Sequence, residues 1–192
     1  MQTSQSWREA RQTIRNQMKA KRLALTTQQQ TSAALDIIPQ ALALIEHYQA
    51  SHLAFYLPFK AEISPLPLIK QLLTQGKSIY LPVLHPFSAG NLLFVQYQPN
   101  SVLQSHSFGM LQPQLDIRQV KPLDELEMIF TPLLACDKQL NRLGYGGGFY
   151  DRTLAQTSAI NVGLAYDCQL IEQLPTEDWD MPLDHLILGD TA

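Results

Sequence analysis

A glycine-rich segment at residues 141–152, with the sequence NRLGYGGGFYDR, carries the residue types most suited to chemistry. Four of the nine glycines of the chain fall between Gly144 and Gly148. Glycine tolerates positive φ, so backbone N–H groups in such a turn can face a ligand. An apolar run at 128–136 precedes the segment and a helix-compatible run at 149–156 follows it, which predicts a strand, a turn and a helix start. This arrangement is typical of an anion cradle, most often for phosphate.

The segment departs from the known glycine motifs. A Walker loop requires Lys and Ser or Thr where this chain has Phe149 and Tyr150, and a dinucleotide fingerprint requires glycine at Phe149. No Gly-x-Ser-x-Gly elbow occurs in the chain. Charged residues flank the glycines instead, with Arg142 before them and Asp151 and Arg152 after them. A flexible turn that only caps a helix is the alternative, and the flanking charges favour a ligand site.

The N-terminal residues 4–25 are predicted to form a basic helix. The first 25 residues contain six basic residues and one acidic residue, although the whole chain has a net charge of −3. The basic residues at helical spacing form one stripe: Arg8, Arg11, Arg15, Lys19 and Arg22. A separate apolar stripe, formed by Trp7, Ile14, Met18 and Leu25, predicts that the helix packs onto the body. The basic stripe could face solvent, contact nucleic acid or reach a bound polyphosphate, and the acidic remainder of the chain weighs against nucleic acid.

Strand and helix patterns alternate through the rest of the chain. Predicted strands lie at 52–57, 78–83, 92–97, 128–136, 161–166 and 185–188, and predicted helices at 28–47, 64–76, 149–156 and 169–174. Pro39 is expected to kink or divide the first of these helices, and residues 101–122 are predicted to be mainly irregular. The order predicts one α/β domain over residues 1–192, with a mostly parallel, Rossmann-like open sheet and helices on both faces.

Three loops should meet at one edge of that sheet, because ligands of open parallel sheets bind beyond the carboxyl ends of the strands. These loops are Leu57–Glu62, the glycine segment and Tyr166–Asp167, each of which follows a predicted strand. We therefore expect Glu62 to lie near the phosphate cradle. A lone glutamate in a loop is more often a surface residue, and that alternative stays open at this point.

Composition excludes several classes of protein. The two cysteines, Cys136 and Cys168, lie in apolar contexts and are expected to be reduced core residues of a cytoplasmic protein. No signal peptide is expected at the N-terminus, and no apolar run approaches the roughly 18 residues of a membrane span. The five histidines show no zinc-binding spacing.

Residues 142–151, RLGYGGGFYD, resemble the nucleotide loop of the 5-formyltetrahydrofolate cyclo-ligase family, also called 5,10-methenyltetrahydrofolate synthetases. Other segments are similar to later parts of that family: 55–63 (FYLPFKAEI), 80–83 (YLPV), 108–113 (FGMLQP) and 179–184 (WDMPLD). The resemblance extends roughly from Arg8 to Asp184. Leu140 departs from it, since many members have glycine there.

The resemblance implies an ATP- and Mg²⁺-dependent conversion of 5-formyltetrahydrofolate to 5,10-methenyltetrahydrofolate, with release of ADP and phosphate. The γ-phosphoryl group would move to the formyl oxygen, and N10 would then close the ring. Arg11 and Arg15 match the spacing of two cations that contact the nucleotide in the family, although lysine is commoner at the first place. The implied nucleotide-binding residues are Arg11, Arg15, Arg142, Leu143, Gly144, Tyr145, Gly146, Gly147, Gly148, Phe149 and Tyr150.

The resemblance also implies folate, metal and catalytic residues. The implied folate contacts are Leu57, Glu62, Phe108, Tyr145, Gly146, Gly147, Gly148 and Phe149. In the family the glutamate contacts the pterin ring, and a carboxylate can accept hydrogen bonds from two adjacent N–H donors. For Phe108, ordinary core packing is an alternative that stays open. The implied catalytic residues are Arg142, Tyr150 and Asp151, and the implied Mg²⁺ ligands are Asp151 and, as the weaker candidate, Asp180. For Asp151, a helix N-terminal acid without a metal is the alternative.

Two other functions stay open. One is a different phosphate-handling α/β enzyme that uses no ATP, such as a sugar-phosphate isomerase or an acyl-CoA transferase. The other is a nucleotide- or RNA-binding module that uses the basic helix. The resemblance favours an enzyme that acts as a monomer on a small-molecule folate, polyglutamylated or not, without a nucleic-acid or membrane partner.

Overall fold

The computed structural model describes residues 4–106 and 109–192. The α-helices are α1 (Ser4–Ala24), α2 (Thr27–His47), α3 (Leu66–Thr74) and α4 (Phe149–Leu154). The strands are β1 (His52–Ala54), β2 (Ser78–Leu84), β3 (Leu92–Tyr97), β4 (Leu103–Ser105), β5 (Leu111–Pro113), β6 (Val120–Lys121), β7 (Met128–Pro132), β8 (Ala135–Asp137), β9 (Arg142–Leu143), β10 (Ile160–Tyr166), β11 (Leu170–Ile171) and β12 (His185–Gly189). Turns of 3-10 helix lie at Ile117–Gln119, Leu123–Glu125 and Asp167–Gln169.

A seven-stranded sheet in the order β12-β10-β7-β1-β2-β3-β6 forms the centre of the described structure. All neighbours from β12 to β2 pair in parallel, and β3 and β6 add an antiparallel edge. Helix α3 connects the parallel strands β1 and β2, as the crossover rule requires. The predicted α/β class with a mostly parallel sheet is confirmed. Smaller sheets are formed by β11-β8-β9 and by β4-β5.

Helices cover both faces of the large sheet. Successive strand side chains point to opposite faces, so Leu53 and Phe130 are buried in the same core cluster as residues of α2 and α3. Their neighbours Ala54 and Ile129 are buried with Leu154 of α4 in a second cluster. The alternation explains why these strands are apolar on both sides, as is typical of covered parallel strands.

Helix α2 begins at a capping box and runs through Pro39 without a break. The Thr26 side chain accepts a hydrogen bond from the Gln29 backbone N–H at 3.2 Å, and the Gln29 side chain accepts one from the Thr26 N–H at 3.0 Å. The division considered at Pro39 does not occur, because Ile37 and Ala41 on either side are fully buried and keep the helix on the sheet.

One buried glutamine explains two local differences from the predicted elements. The strand predicted at 128–136 is two strands, β7 and β8, and the side-chain amide of Gln169 donates to the carbonyls of Leu133 at 3.0 Å and Leu134 at 2.9 Å between them. The same bonds hold the chain near Gln169 beside β8, where β11 pairs in parallel. Residues 169–174, predicted as a helix, are therefore the end of a 3-10 turn followed by a short strand.

The basic helix α1 packs through an apolar stripe, as its pattern predicts. Met18 is buried against Leu134, Leu143 and Leu174, and Leu143 belongs to the glycine segment. The position of α1 therefore depends on the segment that carries the candidate chemistry. Within the described ranges, no helix combines the length and the apolar character needed to cross a bilayer.

Candidate active site

The glycine loop (residues 144–148) connects the β8–β9 hairpin to α4. Gly148 is the N-cap of α4 with φ +65°, and Gly146 has φ +100°. A Cβ at Gly146 would lie 3.3 Å from the guanidinium of Arg15. Left-handed backbone and close approach together explain glycine at these two positions. The predicted turn-to-helix arrangement is present at this loop.

The turn before the loop is fixed by a buried carboxylate. Asp137 is fully buried and accepts hydrogen bonds from the Asn141 backbone at 2.9 Å, the Asn141 side chain at 2.9 Å and the Leu174 N–H at 2.9 Å. Leu140 within this turn has φ +64°, and its carbonyl accepts from the Leu183 N–H at 2.9 Å. Because glycine adopts positive φ without strain, the geometry explains why glycine suits the position where this chain has leucine.

A cleft of about 520 Å³ lies between α1, the glycine loop and the C-terminal segment. Its lining includes Arg8, Arg11, Arg15, Gly146, Asp151 and Asp180. The Arg15 Nε donates to the Gly144 carbonyl at 2.9 Å, which ties the basic helix directly to the loop. Burial, followed by repulsion from Arg11, lowers the pKa of Arg15 below its usual value. The structure thus brings the two predicted cations and the glycine loop together.

Arg11 and Asp180 form a two-point ion pair across this cleft. Arg11 Nη2 lies 2.9 Å from Asp180 Oδ1, and Nη1 contacts Oδ2. The hydrogen bond to Asp180 raises the pKa of Arg11. Burial acts to raise the pKa of Asp180, but the hydrogen bonds from Arg11 and from the Glu177 N–H hold it below the usual value. The pair fastens the C-terminal segment to α1.

A second ion pair lies under the glycine loop. The Arg142 side chain is 3% exposed, and its Nη2 lies 2.6 Å from Asp151 Oδ1. The same carboxylate oxygen accepts from the Met181 N–H at 3.3 Å. The Arg142 guanidinium also lies 5.9 Å from the centre of the Tyr150 ring. Three residues predicted to be catalytic, Arg142, Tyr150 and Asp151, are therefore neighbours in the structure.

The two predicted metal ligands differ in how well they could hold Mg²⁺. No group of three His, Cys, Asp or Glu side chains converges within the described part of the chain. Mg²⁺ in nucleotide sites usually takes one or two carboxylates together with phosphates and water. Asp151 fits this pattern because it lines the cleft and both of its hydrogen bonds use Oδ1. Asp180 fits less well because Arg11 engages both of its oxygens.

Glu62 lies in a buried polar cluster, and the surface alternative is wrong. The residue is 8% exposed, its Oε2 accepts from the Phe59 N–H at 2.9 Å, and its Oε1 lies 3.8 Å from Arg22. The Glu62 loop (residues 58–62) has positive φ at Lys60 and Ala61. Burial raises the pKa of Glu62 to about 7, although Arg22 and the Phe59 N–H act in the opposite direction.

Tyr145 connects the Glu62 loop to the glycine loop. Its hydroxyl accepts from Arg22 Nη2 at 2.5 Å, and the Nη1 atom of the same guanidinium lies 3.8 Å from Glu62 Oε1. The residue is 39% exposed, and the Lys19 ammonium lies 5.3 Å from the ring centre. The predicted proximity of Glu62 to the phosphate cradle therefore has a direct basis in side-chain contacts.

Four buried polar atoms in this region have no hydrogen-bond partner among the described residues. They are the hydroxyls of Tyr150 and Tyr166 and the Nε atoms of Arg22 and Arg142. Each buried donor left without a partner costs about 1–3 kcal/mol. Burial raises the pKa of both tyrosines, that of Tyr166 to about 12, so both hydroxyls keep their protons. The region is suited to a ligand rich in hydrogen-bond acceptors.

Leu57 and Phe108 are two further predicted folate contacts outside the glycine loop. Leu57, which immediately precedes the Glu62 loop, is partly buried against the main core. Phe108 lies outside the described residues.

Arg22 does not face solvent or the cleft as the basic stripe predicts, because its side chain is 1% exposed. The signal for burial is present in the sequence, since Arg22 follows the buried Met18 by four residues and precedes Leu25 by three. It therefore falls on the apolar stripe as well as on the basic one.

A larger concavity of about 690 Å³ lies elsewhere, at β3 and the 3-10 turn Ile117–Gln119. The charged residues in its lining, Asp116 and Arg118, pair with each other at 2.8 Å. None of the predicted site residues in the described ranges lines it. The smaller cleft, which is lined by three arginines, four carboxylates and the glycine loop, is the better candidate for chemistry.

The raised pKa of Glu62 predicts a pH effect on stability. A carboxyl group with a raised pKa in the folded state contributes stability fully below its usual value of 4.5 and loses it as pH rises through about 7. Between pH 5 and pH 8, we expect the free energy of unfolding of the wild type to fall by about 3 kcal/mol relative to Glu62→Gln. Chemical denaturation at each pH measures this difference, and parallel pH profiles for the two proteins would contradict it.

Comparisons with known proteins agree on one family. Residues 7–189 match the model of the 5-formyltetrahydrofolate cyclo-ligase family. The chain is 49% identical over 182 residues to the 5-formyltetrahydrofolate cyclo-ligase of Haemophilus influenzae, covering 93% of this chain and 97% of the relative. Identity to the Escherichia coli K12 protein of the same name is 44% over 173 residues, covering 88% and 95%.

The fold is also similar to a solved structure. The NMR structure of Aquifex aeolicus 5,10-methenyltetrahydrofolate synthetase matches with a TM-score of 0.79 and 27% identity, covering 94% of this chain and 89% of that one. The family match spans nearly the whole chain, and the relatives are matched over nearly their full length. This chain therefore belongs to the 5-formyltetrahydrofolate cyclo-ligase family.

Proposed function

We propose that this protein converts 5-formyltetrahydrofolate and ATP to 5,10-methenyltetrahydrofolate, ADP and phosphate with Mg²⁺. The observation that carries the proposal is that two sites with different chemistry, the cleft and the Glu62 loop, lie next to each other. A cleft lined by the glycine loop, three arginines and four carboxylates suits a polyphosphate with its divalent cation, and the adjoining buried Glu62 suits a ring edge with N–H donors. Tyr145 of the glycine loop is hydrogen-bonded to Arg22, which lies 3.8 Å from Glu62, so the two substrates would be held next to each other.

The nucleotide phosphates would lie in the cleft. Arg15 and Arg142 would neutralise phosphate charge, and the glycine loop would supply backbone N–H donors. Arg11 would contribute through its pair with Asp180. The remaining proposed nucleotide contacts follow the loop: Leu143, Gly144, Tyr145, Gly146, Gly147, Gly148, Phe149 and Tyr150. Asp151 would hold Mg²⁺, with Asp180 as the weaker candidate, and the ion would supply positive charge to offset that of the phosphates.

The pterin ring of the folate would bind at Glu62. The carboxylate accepts two hydrogen bonds from adjacent N–H donors in a planar geometry. Tyr145, Phe149 and Leu57 would form the walls, together with Gly146, Gly147, Gly148 and Phe108. The Tyr150 hydroxyl, buried without a partner among the described residues and with a raised pKa, would donate a hydrogen bond to the ligand.

The reaction needs positioning more than covalent catalysis by the protein. A formamide oxygen is a poor leaving group, and transfer of the γ-phosphoryl group to it creates a good one. The N10 lone pair then attacks the formyl carbon and N10 loses its proton to solvent; the carbon–oxygen bond breaks, and phosphate leaves with that oxygen. The Arg142 guanidinium stabilises charge on the phosphoryl oxygens, and Tyr150 and Glu62 hold the acceptor.

One assay tests the proposal. The protein is incubated with MgATP and 5-formyltetrahydrofolate while the ultraviolet band of the methenyl product and the release of ADP are followed. We expect product only when both substrates are present, with one ADP formed per product. Equal ADP release without the folate would contradict the coupled reaction, and product without ATP would favour an ATP-independent enzyme.

We also propose that the chain acts as one cytoplasmic domain and as a monomer. Cys136 and Cys168 are free thiols, which suits a reducing compartment. All the residues of the proposed site come from one copy of the chain. Sedimentation of the active protein tests the monomer, and salt-sensitive RNA binding would favour the nucleic-acid alternative.

Trp179 supplies a further prediction about the nucleotide site. The residue lines the cleft but is 66% exposed, next to the anchored Asp180. An exposed indole beside a phosphate site is suited to stack on the nucleotide base, and such stacking is worth about 1–3 kcal/mol. We expect Trp179→Ala to raise the KM for ATP roughly 5- to 150-fold with little change in kcat, and Trp179→Phe to restore most of the loss.

The two tryptophans allow a direct control. In the Trp7→Phe variant, Trp179 is the single indole, so quenching of its fluorescence by ATP reports contact with the base. Inorganic tripolyphosphate should bind without comparable quenching. An unchanged KM for ATP in Trp179→Ala would remove the residue from the site.

A further inference from the structure

Arg22 joins three separate parts of the chain through one guanidinium group. Nη1 donates to the Leu133 carbonyl at 3.2 Å, and Nη2 donates to the Lys60 carbonyl at 2.8 Å and to the Tyr145 hydroxyl at 2.5 Å. Nη1 also lies 3.8 Å from Glu62 Oε1. The side chain thus contacts the β7–β8 junction, the Glu62 loop and the glycine loop from its position in α1.

The geometry of these contacts requires arginine. A guanidinium is a rigid planar fork with five N–H donors, whereas lysine offers one compact ammonium group. The Glu62 loop has positive φ at two consecutive non-glycine residues, Lys60 (φ +49°) and Ala61 (φ +57°). Such backbone is costly and persists when contacts from outside the loop hold it. Arg22 provides that contact at the Lys60 carbonyl.

We infer that Arg22 is a positioning residue that ties the Glu62 loop to the glycine loop, so that folate and nucleotide bind with positive coupling. The inference rests on the proposed function, in which the two loops bind the two substrates. Tyr145 is the point of transmission, because its hydroxyl accepts from the same Arg22 guanidinium that contacts Lys60 and Glu62, while its backbone belongs to the glycine loop. A ligand that fixes one loop would fix the other through these contacts, and coupling of this kind is reciprocal.

The same contacts make the ionisation of Glu62 depend on Arg22. The titratable groups that act on Glu62, or on which it acts, come from several elements: Arg22 of α1, Tyr56 after β1, Tyr145 of the glycine loop, Tyr150 of α4 and Tyr166 of β10. Arg22 is the cation of this set and lowers the pKa of Glu62 against the effect of burial. Neutral replacements of Arg22 should therefore move the ionisation of Glu62 to higher pH.

The experiment measures 5-formyltetrahydrofolate affinity by calorimetry with and without a non-hydrolysable MgATP analogue, from pH 6 to pH 9. The variants are Arg22→Lys, Arg22→Gln and Tyr145→Phe, which removes the same link from its other end. Lys21→Gln is the matched control, since Lys21 is the adjacent basic residue and is exposed. Turnover in the wild type is assayed separately and tests the proposed function itself.

We expect the analogue to tighten folate binding about 5-fold or more in the wild type and in Lys21→Gln. The coupling should fall below about 2-fold in Arg22→Gln and Tyr145→Phe, and be intermediate in Arg22→Lys. The pH midpoint of folate binding should rise above about 7 in Arg22→Gln. If the wild type shows no coupling, or if the variants lose thermal stability but keep the coupling and the midpoint of the wild type, the inference is wrong. If Arg22→Gln does not fold, Arg22→Lys and Tyr145→Phe decide the coupling.

Discussion

Replacement of Arg142 by alanine should lower kcat/KM for ATP by about 1000-fold, since arginines that stabilise a transferring phosphoryl group contribute on this order. The Arg142 side chain is 3% exposed and lies 2.6 Å from Asp151, which lines the cleft. Its removal takes a cation from the proposed phosphate site and leaves the Asp151 carboxylate unneutralised where negative charge would develop. Both changes oppose phosphoryl transfer.

The same substitution should also destabilise the fold, because breaking a buried ion pair by removing one partner costs about 3–5 kcal/mol. Activity is therefore compared at a temperature where circular dichroism shows the variant to be folded. Arg152→Ala is the matched control, since Arg152 is an exposed arginine of the same segment that contacts backbone carbonyls of Gly90 and Gly147. Its loss in kcat/KM should stay below about 10-fold. If folded Arg142→Ala turns over within 10-fold of the wild type, Arg142 has only a structural role.

Replacement of Glu62 by glutamine should weaken binding of 5-formyltetrahydrofolate roughly 10- to 150-fold, because each hydrogen bond to a charged group contributes about 1.5–3 kcal/mol. Nucleotide affinity should change less than about 2-fold, since Glu62 is not among the residues that line the cleft. An amide presents one acceptor and one donor to two N–H groups of the ligand, so one pair would become repulsive.

The pH dependence of binding gives this prediction a second readout. Folate affinity of the wild type should rise as pH rises through about 7, where Glu62 ionises, and the profile of Glu62→Gln should be flat over that range. Glu125→Gln serves as the matched control, because the Glu125 side chain is 57% exposed and pairs with Lys121 of the edge strand β6, whereas Glu62 follows the central strand β1. Unchanged folate affinity in Glu62→Gln would remove this residue from the substrate site.

The prediction for Arg142 can be made from the sequence, whereas the prediction for Glu62 depends on tertiary contacts. The importance of Arg142 follows from its place beside the glycines, which is visible in the sequence. The expected pH effect at Glu62 follows from burial, from Arg22 and from Tyr145, and these contacts join α1, the Glu62 loop and the glycine loop. Local patterns do not report such contacts.

Local sequence patterns were sufficient for the α/β class, the strand–turn–helix at the glycine loop and the amphipathic N-terminal helix. They succeed there because periodicity, caps and glycine preferences act over a few neighbouring residues. Local patterns do not predict the ion pair between Arg11 and Asp180, because these residues are 169 positions apart. Because Arg11 engages both carboxylate oxygens of Asp180, Asp151 is the better candidate for Mg²⁺.

Tertiary structure alone decided the burial of Arg22 and of Glu62. In the sequence, Arg22 lies at helical spacing from residues of both the basic stripe and the apolar stripe of α1, so helical periodicity does not determine whether it is buried. The choice comes from the Leu133 carbonyl and the Tyr145 hydroxyl, which are 111 and 123 residues away. A buried guanidinium is stable only where such acceptors surround it, so its position is fixed by the packed fold and not by the local pattern.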